Sequence, residues 1–243
     1  MASLQLFISL MSNCFFLHGD NYPQSRARLV ALIKELRKQK TGELIKLDGQ
    51  KVDLSEVKQV LEARSLFGGE RLVVIENLLN APVSKRQKEI IDYLLKDEID
   101  LPLVLWEKKE IKGARLTKFR KKFKVEIFKI PAVIFKLLDS LKPGDSQSMI
   151  SLFHQIDQKE PEFVFYMLCQ RVRQLILAKD LGKEGLNGLQ GWQQAKLLNQ
   201  AKNFELSQLF SFYRRLLEVD FQQKTSQTPF SLSSTLDLLL ANL

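Results

Sequence analysis

Apolar positions in the first 130 residues fall in short blocks separated by longer amphipathic stretches. Cys14-Phe15-Phe16-Leu17-His18, Leu44-Ile45-Lys46-Leu47, Arg71 to Glu76, Leu101 to Trp106 and Val125-Glu126-Ile127-Phe128 are compact, rich in β-branched or aromatic side chains, and mostly bounded by turn formers. They predict five buried strands, with Pro102 tolerable at the start of the fourth. Between them the spacing predicts a helix from about Gln24 to Gln39 with Ala27, Val30, Ala31, Ile33 and Leu36 on its apolar face. A second helix opens at Asp53-Leu54-Ser55-Glu56, the spacing of a capping box, and runs to about Ala63. Gln87 to Leu95 and a basic stretch from Gly113 to Lys122 predict two more. Strand and helix in alternation argue for a parallel α/β sheet.

From Pro131 the pattern turns wholly helical. Helices are predicted over Ala132 to Leu141 and Ser146 to Gln158, separated by Lys142-Pro143-Gly144-Asp145. Pro161 suits the first turn of the next, which ends at Gly182. Gln190 to Lys202, Leu206 to Gln223 and Leu232 to Ala241 complete the set. Phe165, Leu168, Val172, Leu175 and Ile176 form a stripe read as bundle core, with some apolar surface left for subunit packing. The fold class is therefore α/β followed by all-α, with domains at 1–130 and 131–243.

At 243 residues the chain has length for two modest cores. The net charge of +9 is unevenly placed. Residues 1–130 carry 25 Lys and Arg against 17 Asp and Glu, and the remainder 12 against 11. The first domain is thus the candidate for nucleic acid or another acidic partner. Its most basic stretch holds Lys112, Arg115, Lys118, Arg120, Lys121 and Lys122, which either faces DNA phosphates or forms a solvated surface. Phe119 and Phe123, four apart, are expected to anchor this helix to the sheet rather than stack on bases.

Cys14 and Cys169 lie far apart in apolar runs, as small buried hydrophobes in a reducing compartment. With only His18 and His154 as histidines, no His/Cys metal cluster is expected. Leu4 to Leu17 is too short and too interrupted to span a bilayer and lacks a positive flank, so a cytoplasmic protein is expected. Residues 1–10 read as an over-extended start, with Met11 the alternative beginning.

A nucleotide-hydrolysing α/β domain needs G-x-x-x-x-G-K-[ST] after its first strand. Here that place holds His18-Gly19-Asp20-Asn21-Tyr22-Pro23-Gln24-Ser25, with one glycine, no lysine and an aspartate where phosphate would approach. It reads as a decayed nucleotide site. The segment Ser65-Leu66-Phe67-Gly68-Gly69, between the second helix and the third strand, carries two large apolar side chains on a turn. Such a pair either tucks back onto its own domain or inserts into a partner's pocket, where two desolvated apolar groups can dominate binding.

The run Ser65-Leu66-Phe67-Gly68 followed by Arg71-Leu72-Val73-Val74-Ile75-Glu76-Asn77 resembles the delta subunit of the bacterial DNA polymerase III clamp loader. Phe16-Leu17-His18-Gly19-Asp20 resembles that family's first strand and loop. Cys169 to Ile176, Trp192 to Phe204, and Leu216-Leu217-Glu218-Val219-Asp220 with Lys224-Thr225 resemble successive helices of its last domain; Ser226 stands where the family usually has glycine. The resemblance implies an AAA+-like α/β domain without a functional Walker A sequence, followed by a helical collar. It implies that Leu66 and Phe67, with Ser65, bind the sliding clamp and help open it for loading onto primed DNA. It also implies partner subunits joined through the collar, DNA in the assembled complex, and neither cofactor, metal nor catalytic site in this chain, whose polymerase activity is by association. The family's small lid domain has no room between Phe128 and Ala132 and is expected to be missing. Two alternatives stand beside this one: a basic nucleic-acid-binding protein unrelated to clamps, and an NTPase with a divergent phosphate loop.

Overall fold

A computed structural model of the chain describes residues 13–39, 43–62, 71–80, 82–156 and 161–243. The chain divides into compact units at residues 1–130 and 131–243. Ser65, Leu66 and Phe67, and residues 1–10, lie outside the described residues.

The first unit is a wholly parallel five-stranded sheet. Its strands are β1 (Cys14–His18), β2 (Leu44–Asp48), β3 (Leu72–Glu76), β4 (Leu103–Glu107) and β5 (Lys124–Ile127), in the order β2-β3-β4-β1-β5. Its helices are α1 (Tyr22–Gln39), α2 (Leu54–Glu62), α3 (Lys85–Lys96) and α4 (Ala114–Phe119). Alternation along each strand divides the core. Cys14, Phe16, Val73, Ile75, Leu103 and Leu105 face one way, onto Val57 of α2, Ile90 and Leu94 of α3, and Phe119 of α4. Leu17, Leu72, Val74, Val104 and Trp106 face the other way, onto Leu29 and Leu32 of α1. The central strands β3 and β4 are buried on both faces, which is why they read as continuous apolar runs.

Several local signals operate as the residues suggest. Asp53 Oδ1 accepts the Glu56 N–H at 2.8 Å, capping α2. Phe119 is fully buried, with its ring centroid 5.3 Å from those of Phe16 and Phe123, so the pair does anchor α4 to the sheet. The face of α1 is a correction. Ser25, Leu29 and Leu32 are buried, an i, i+4, i+7 stripe, whereas Ala27, Val30 and Ala31 are exposed. Leucine outweighs alanine in area removed from water, so the two leucines set the rotation of the helix.

The second unit contains α5 (Ala132–Ser140), α6 (Ser146–His154), α7 (Pro161–Leu181), α8 (Gly191–Ala201), α9 (Leu206–Lys224) and α10 (Leu232–Ala241), with a 3₁₀ turn at Glu184–Leu186. Helix α7 is central, packing on α8 and α9, while α10 packs on α6. Leu168, Val172 and Leu175 are buried, so the α7 stripe is core.

Helix α9 ends in a Schellman motif. The Gln227 N–H reaches Gln222 O at 2.9 Å, and the Ser226 N–H points at Gln223 O. This places Ser226 at φ 55°, in the left-handed region where a Cβ is strained. Ser226→Gly is expected to stabilise the second unit by about 0.5–1 kcal/mol, the strain relieved less the entropy glycine adds to the unfolded chain. A thermal melt followed by circular dichroism checks this; a lowered Tm would contradict it.

Candidate functional site

In open α/β sheets, ligands bind outside the carboxyl ends of the strands. Here that edge is closed by main chain. Gly19 sits at φ 146°, and a Cβ built on it would lie 2.0 Å from Phe128 O. The Phe128 N–H donates to His18 O at 2.8 Å, and the Asn21 N–H donates back to Phe128 O at 3.0 Å. The first turn of α1 is served locally as well. Tyr22 N–H bonds Asp20 O, Gln24 N–H bonds Asn21 Oδ1, Ser25 N–H bonds Asn21 O, and Pro23 has no N–H to offer. The donors that would cradle phosphate at a helix N-terminus are already engaged.

The loops after β1 and β4 are tied together in the same way. His18, fully buried, accepts the Ile111 N–H on Nδ1 at 3.1 Å, and Asp20 Oδ1 accepts the Glu110 N–H at 3.2 Å. An accepting Nδ1 leaves the proton on Nε2, and burial holds the imidazole pKa below its ordinary value, so His18 is neutral at pH 7. Glu107, at the end of β4, is fully buried. It accepts from Leu79 N at 2.6 Å, Asn80 N at 3.0 Å and Asn80 Nδ2 at 2.7 Å. Burial pushes this carboxyl up to about 7, against the opposing pull of those donors.

The six basic candidates divide by partner. Lys122 donates to the carbonyls of Leu94 and Asp97, satisfying the C-terminal end of α3. Arg115 reaches Leu79 O at 3.3 Å, and Lys112 pairs with Glu110 at 3.0 Å. Lys118, Arg120 and Lys121 are exposed, with no hydrogen bond or ion pair among the described residues. The segment is thus part staple and part open charge. A neighbouring aromatic–cationic group escaped the sequence reading. Tyr22 meets the Trp106 ring edge-on at 5.5 Å, Arg26 lies over Trp106 at 5.0 Å while bonding Glu76, and Lys108 lies over Tyr22. Its members come from β3, β4, the segment after β4, and α1, so only the register brings them together.

In the second unit, α7 and α9 border an apolar groove of about 650 Å³ lined by Phe165, Tyr166, Tyr213 and Leu217. Tyr166, Leu217 and Phe221 are more than half exposed. Such a stripe on a helix pair marks an interaction surface more often than ordinary exterior.

Residues 132–242 match the family described as DNA polymerase III delta subunit, C-terminal domain. This unit belongs to the DNA polymerase III delta-subunit family. Among solved structures, the chain is similar to the Bacillus subtilis DNA clamp loader delta protein, at 13% identity and a TM-score of 0.46, covering 94% of each chain. It is similar also to a DNA polymerase III gamma subunit-related protein from Thermotoga maritima, at 10% identity and a TM-score of 0.34, covering 99% of this chain and 97% of that one. None of the curated protein sequences matches the chain.

Within the delta-family unit, the residues that carried the resemblance have structural work. Arg171 on α7 bonds Asp139 Oδ1 of α5 at 3.1 Å and Gln200 Oε1 of α8 at 2.8 Å. Gln200 in turn donates to the carbonyls of Leu138, Asp139 and Leu141, closing the end of α5. Lys224 pairs with Asp220 at 2.8 Å, one turn apart on α9. Burial pushes the thiols of both Cys14 and Cys169 up to about 11, so neither is a nucleophile at neutral pH. Among the described residues, no group of three His, Cys, Asp or Glu is placed to hold a metal. No described helix is long and apolar enough to cross a membrane.

Proposed function

We propose that this chain is a delta-like subunit of a DNA polymerase III clamp loader, which binds the sliding clamp and helps open it for loading onto primed DNA. The observation that carries the reading is the delta-family unit at residues 132–242, preceded by a parallel α/β unit whose sequence holds the Ser65-Leu66-Phe67 turn. Leu66 and Phe67 are the clamp anchor, with Ser65 shaping the turn. The exposed Tyr166, Leu217 and Phe221 stripe joins other loader subunits. Nucleotide hydrolysis belongs to those partners, because the loop after β1 spends its amides on Phe128 and on itself. The assembly works in the cytoplasm.

The test is binding of the purified protein to the sliding clamp of the same organism, by surface plasmon resonance. Saturable binding without nucleotide is expected. Absence of binding, with DNA binding intact, would move the assignment to a nucleic-acid-binding protein unrelated to clamps.

The open charges favour DNA as a further contact. Lys118, Arg120 and Lys121 are free of protein partners among the described residues, whereas Lys112, Arg115 and Lys122 are engaged. Alanine at Lys118, Arg120 and Lys121 together is therefore expected to lower the slope of log K against log salt by roughly 2–3 on duplex DNA. The same change at Lys122 is expected to show up in stability instead. A slope unaltered by the triple variant would remove this face from the DNA contact.

A further inference from the structure

A second cavity in the delta-family unit, of about 340 Å³, lies among α5, α7 and α8. Arg171 and Lys196 both line it, and both pair with the single carboxylate of Asp139. Two cations and one anion are the only charged groups in its wall, so the cavity holds one positive charge in excess. The Arg171 side chain is 12% exposed, and burial holds its pKa below the ordinary guanidinium value. Both its printed bonds use Nη1, on Asp139 and Gln200. Nε–H and Nη2–H therefore remain without a protein acceptor among the described residues. The mouth is aromatic: Phe135 is 42% and Trp192 65% exposed, and Trp192 is held by an Nε1–H bond to Gln190 Oε1 at 2.7 Å. Gln174 and Gln193 add side-chain amides to the wall.

We infer that this cavity binds a carboxylate carried on an apolar or aromatic body, with Arg171 and Lys196 on the carboxylate and Phe135 and Trp192 against the body. A planar monoanion matches the open edge of the guanidinium and neutralises the excess charge. A phosphate dianion would leave a net negative charge against a buried network that has no spare cation. Partly desolvated charge with exposed rings on a rigid helix pair is how small sites fix orientation and specificity. The site is distinct from the α7–α9 groove and does not rest on the clamp-loader reading.

The test follows the two indole N–H signals of the full-length, ¹⁵N-labelled protein by NMR, Trp192 being assigned from the Trp192→Phe variant. Titration with N-acetyl-phenylalanine is expected to move the Trp192 signal but not that of Trp106, saturating on the order of millimolar. The corresponding amide is expected to bind at least about tenfold more weakly, as loss of a charge-assisted bond requires. Lys196→Gln is expected to weaken binding several-fold, and Arg171→Gln to abolish it. Should Arg171→Gln fail to fold, Lys196→Gln and Trp192→Ala carry the test, since both residues are exposed. A glycine-rich pentapeptide ending in phenylalanine distinguishes the sources. Tighter binding than the single residue points to a protein C-terminus, and equal binding to a small aromatic acid; either sustains the site. No movement of Trp192, equal affinity for acid and amide, or preference for inorganic phosphate would overturn it.

Discussion

Alanine at both Leu66 and Phe67 is expected to weaken binding to the sliding clamp by about 4 kcal/mol, roughly a thousandfold. The size follows from two large apolar side chains leaving a desolvated pocket, each in the range of an interface hot spot. The control is stability. The flanking elements α2 and β3 hold their place through Val57, Val73 and Ile75, all fully buried. A surface pair can therefore be truncated with little change in Tm. If the pair is instead core of its own domain, the same double substitution removes several kcal/mol of stability. Clamp affinity by surface plasmon resonance, beside a thermal melt of the same sample, separates the outcomes. Lost affinity in a fully folded variant supports the anchor; lost folding with proportionate loss of binding defeats it.

The second large effect is expected at Glu107. Glu107→Ala leaves the N–H groups of Leu79 and Asn80 and the Asn80 amide without their acceptor and opens space inside the sheet edge, for a loss of roughly 4 kcal/mol. The native residue also makes stability depend on pH. Its folded value of about 7 lies above the ordinary 4.5. Below 4.5 folded and unfolded forms both hold the proton. Between 4.5 and 7 the unfolded chain ionises while the folded one resists, so stability falls as pH rises. Above 7 the contribution is constant. The loss across the window is on the order of 3 kcal/mol, and Glu107→Gln, which cannot ionise, is expected to flatten it. Urea unfolding at several pH values, in a Trp192→Phe background, reads the first unit through the buried Trp106. A native slope that survives Glu107→Gln would assign the titration elsewhere.

Much of the architecture was legible in local patterns, because the strands buried on both faces announce themselves as unbroken apolar runs. Helices α7 and α10 were bounded correctly by Pro161, Gly182 and Ala241, where cap chemistry acts within a few residues. The misreadings lie where tertiary context decides. The fourth strand starts at Leu103 rather than Leu101 and ends at Glu107; a carboxylate inside a sheet becomes plausible only when the Leu79–Asn80 amides arrive to meet it. Helix α1 carries two apolar stripes, and periodicity alone could not say which one the sheet would cover. The basic segment looked uniform, yet three of its six candidates are consumed by carbonyls or Glu110. The Arg171–Asp139–Gln200 network spans three helices and left no trace in spacing.

The contact between Gly19 and Phe128 carries a consequence for engineering and for descent. What fills the space above β1 is the backbone of the chain itself, and no codon change deletes a carbonyl. Grafting Gly-Lys-Ser onto this loop would therefore supply the letters of a phosphate cradle without its volume. Room would come only by prising β5, an edge strand paired with β1 alone, away from the loop. The closure acts as a ratchet, which several coordinated changes would have to reverse at once.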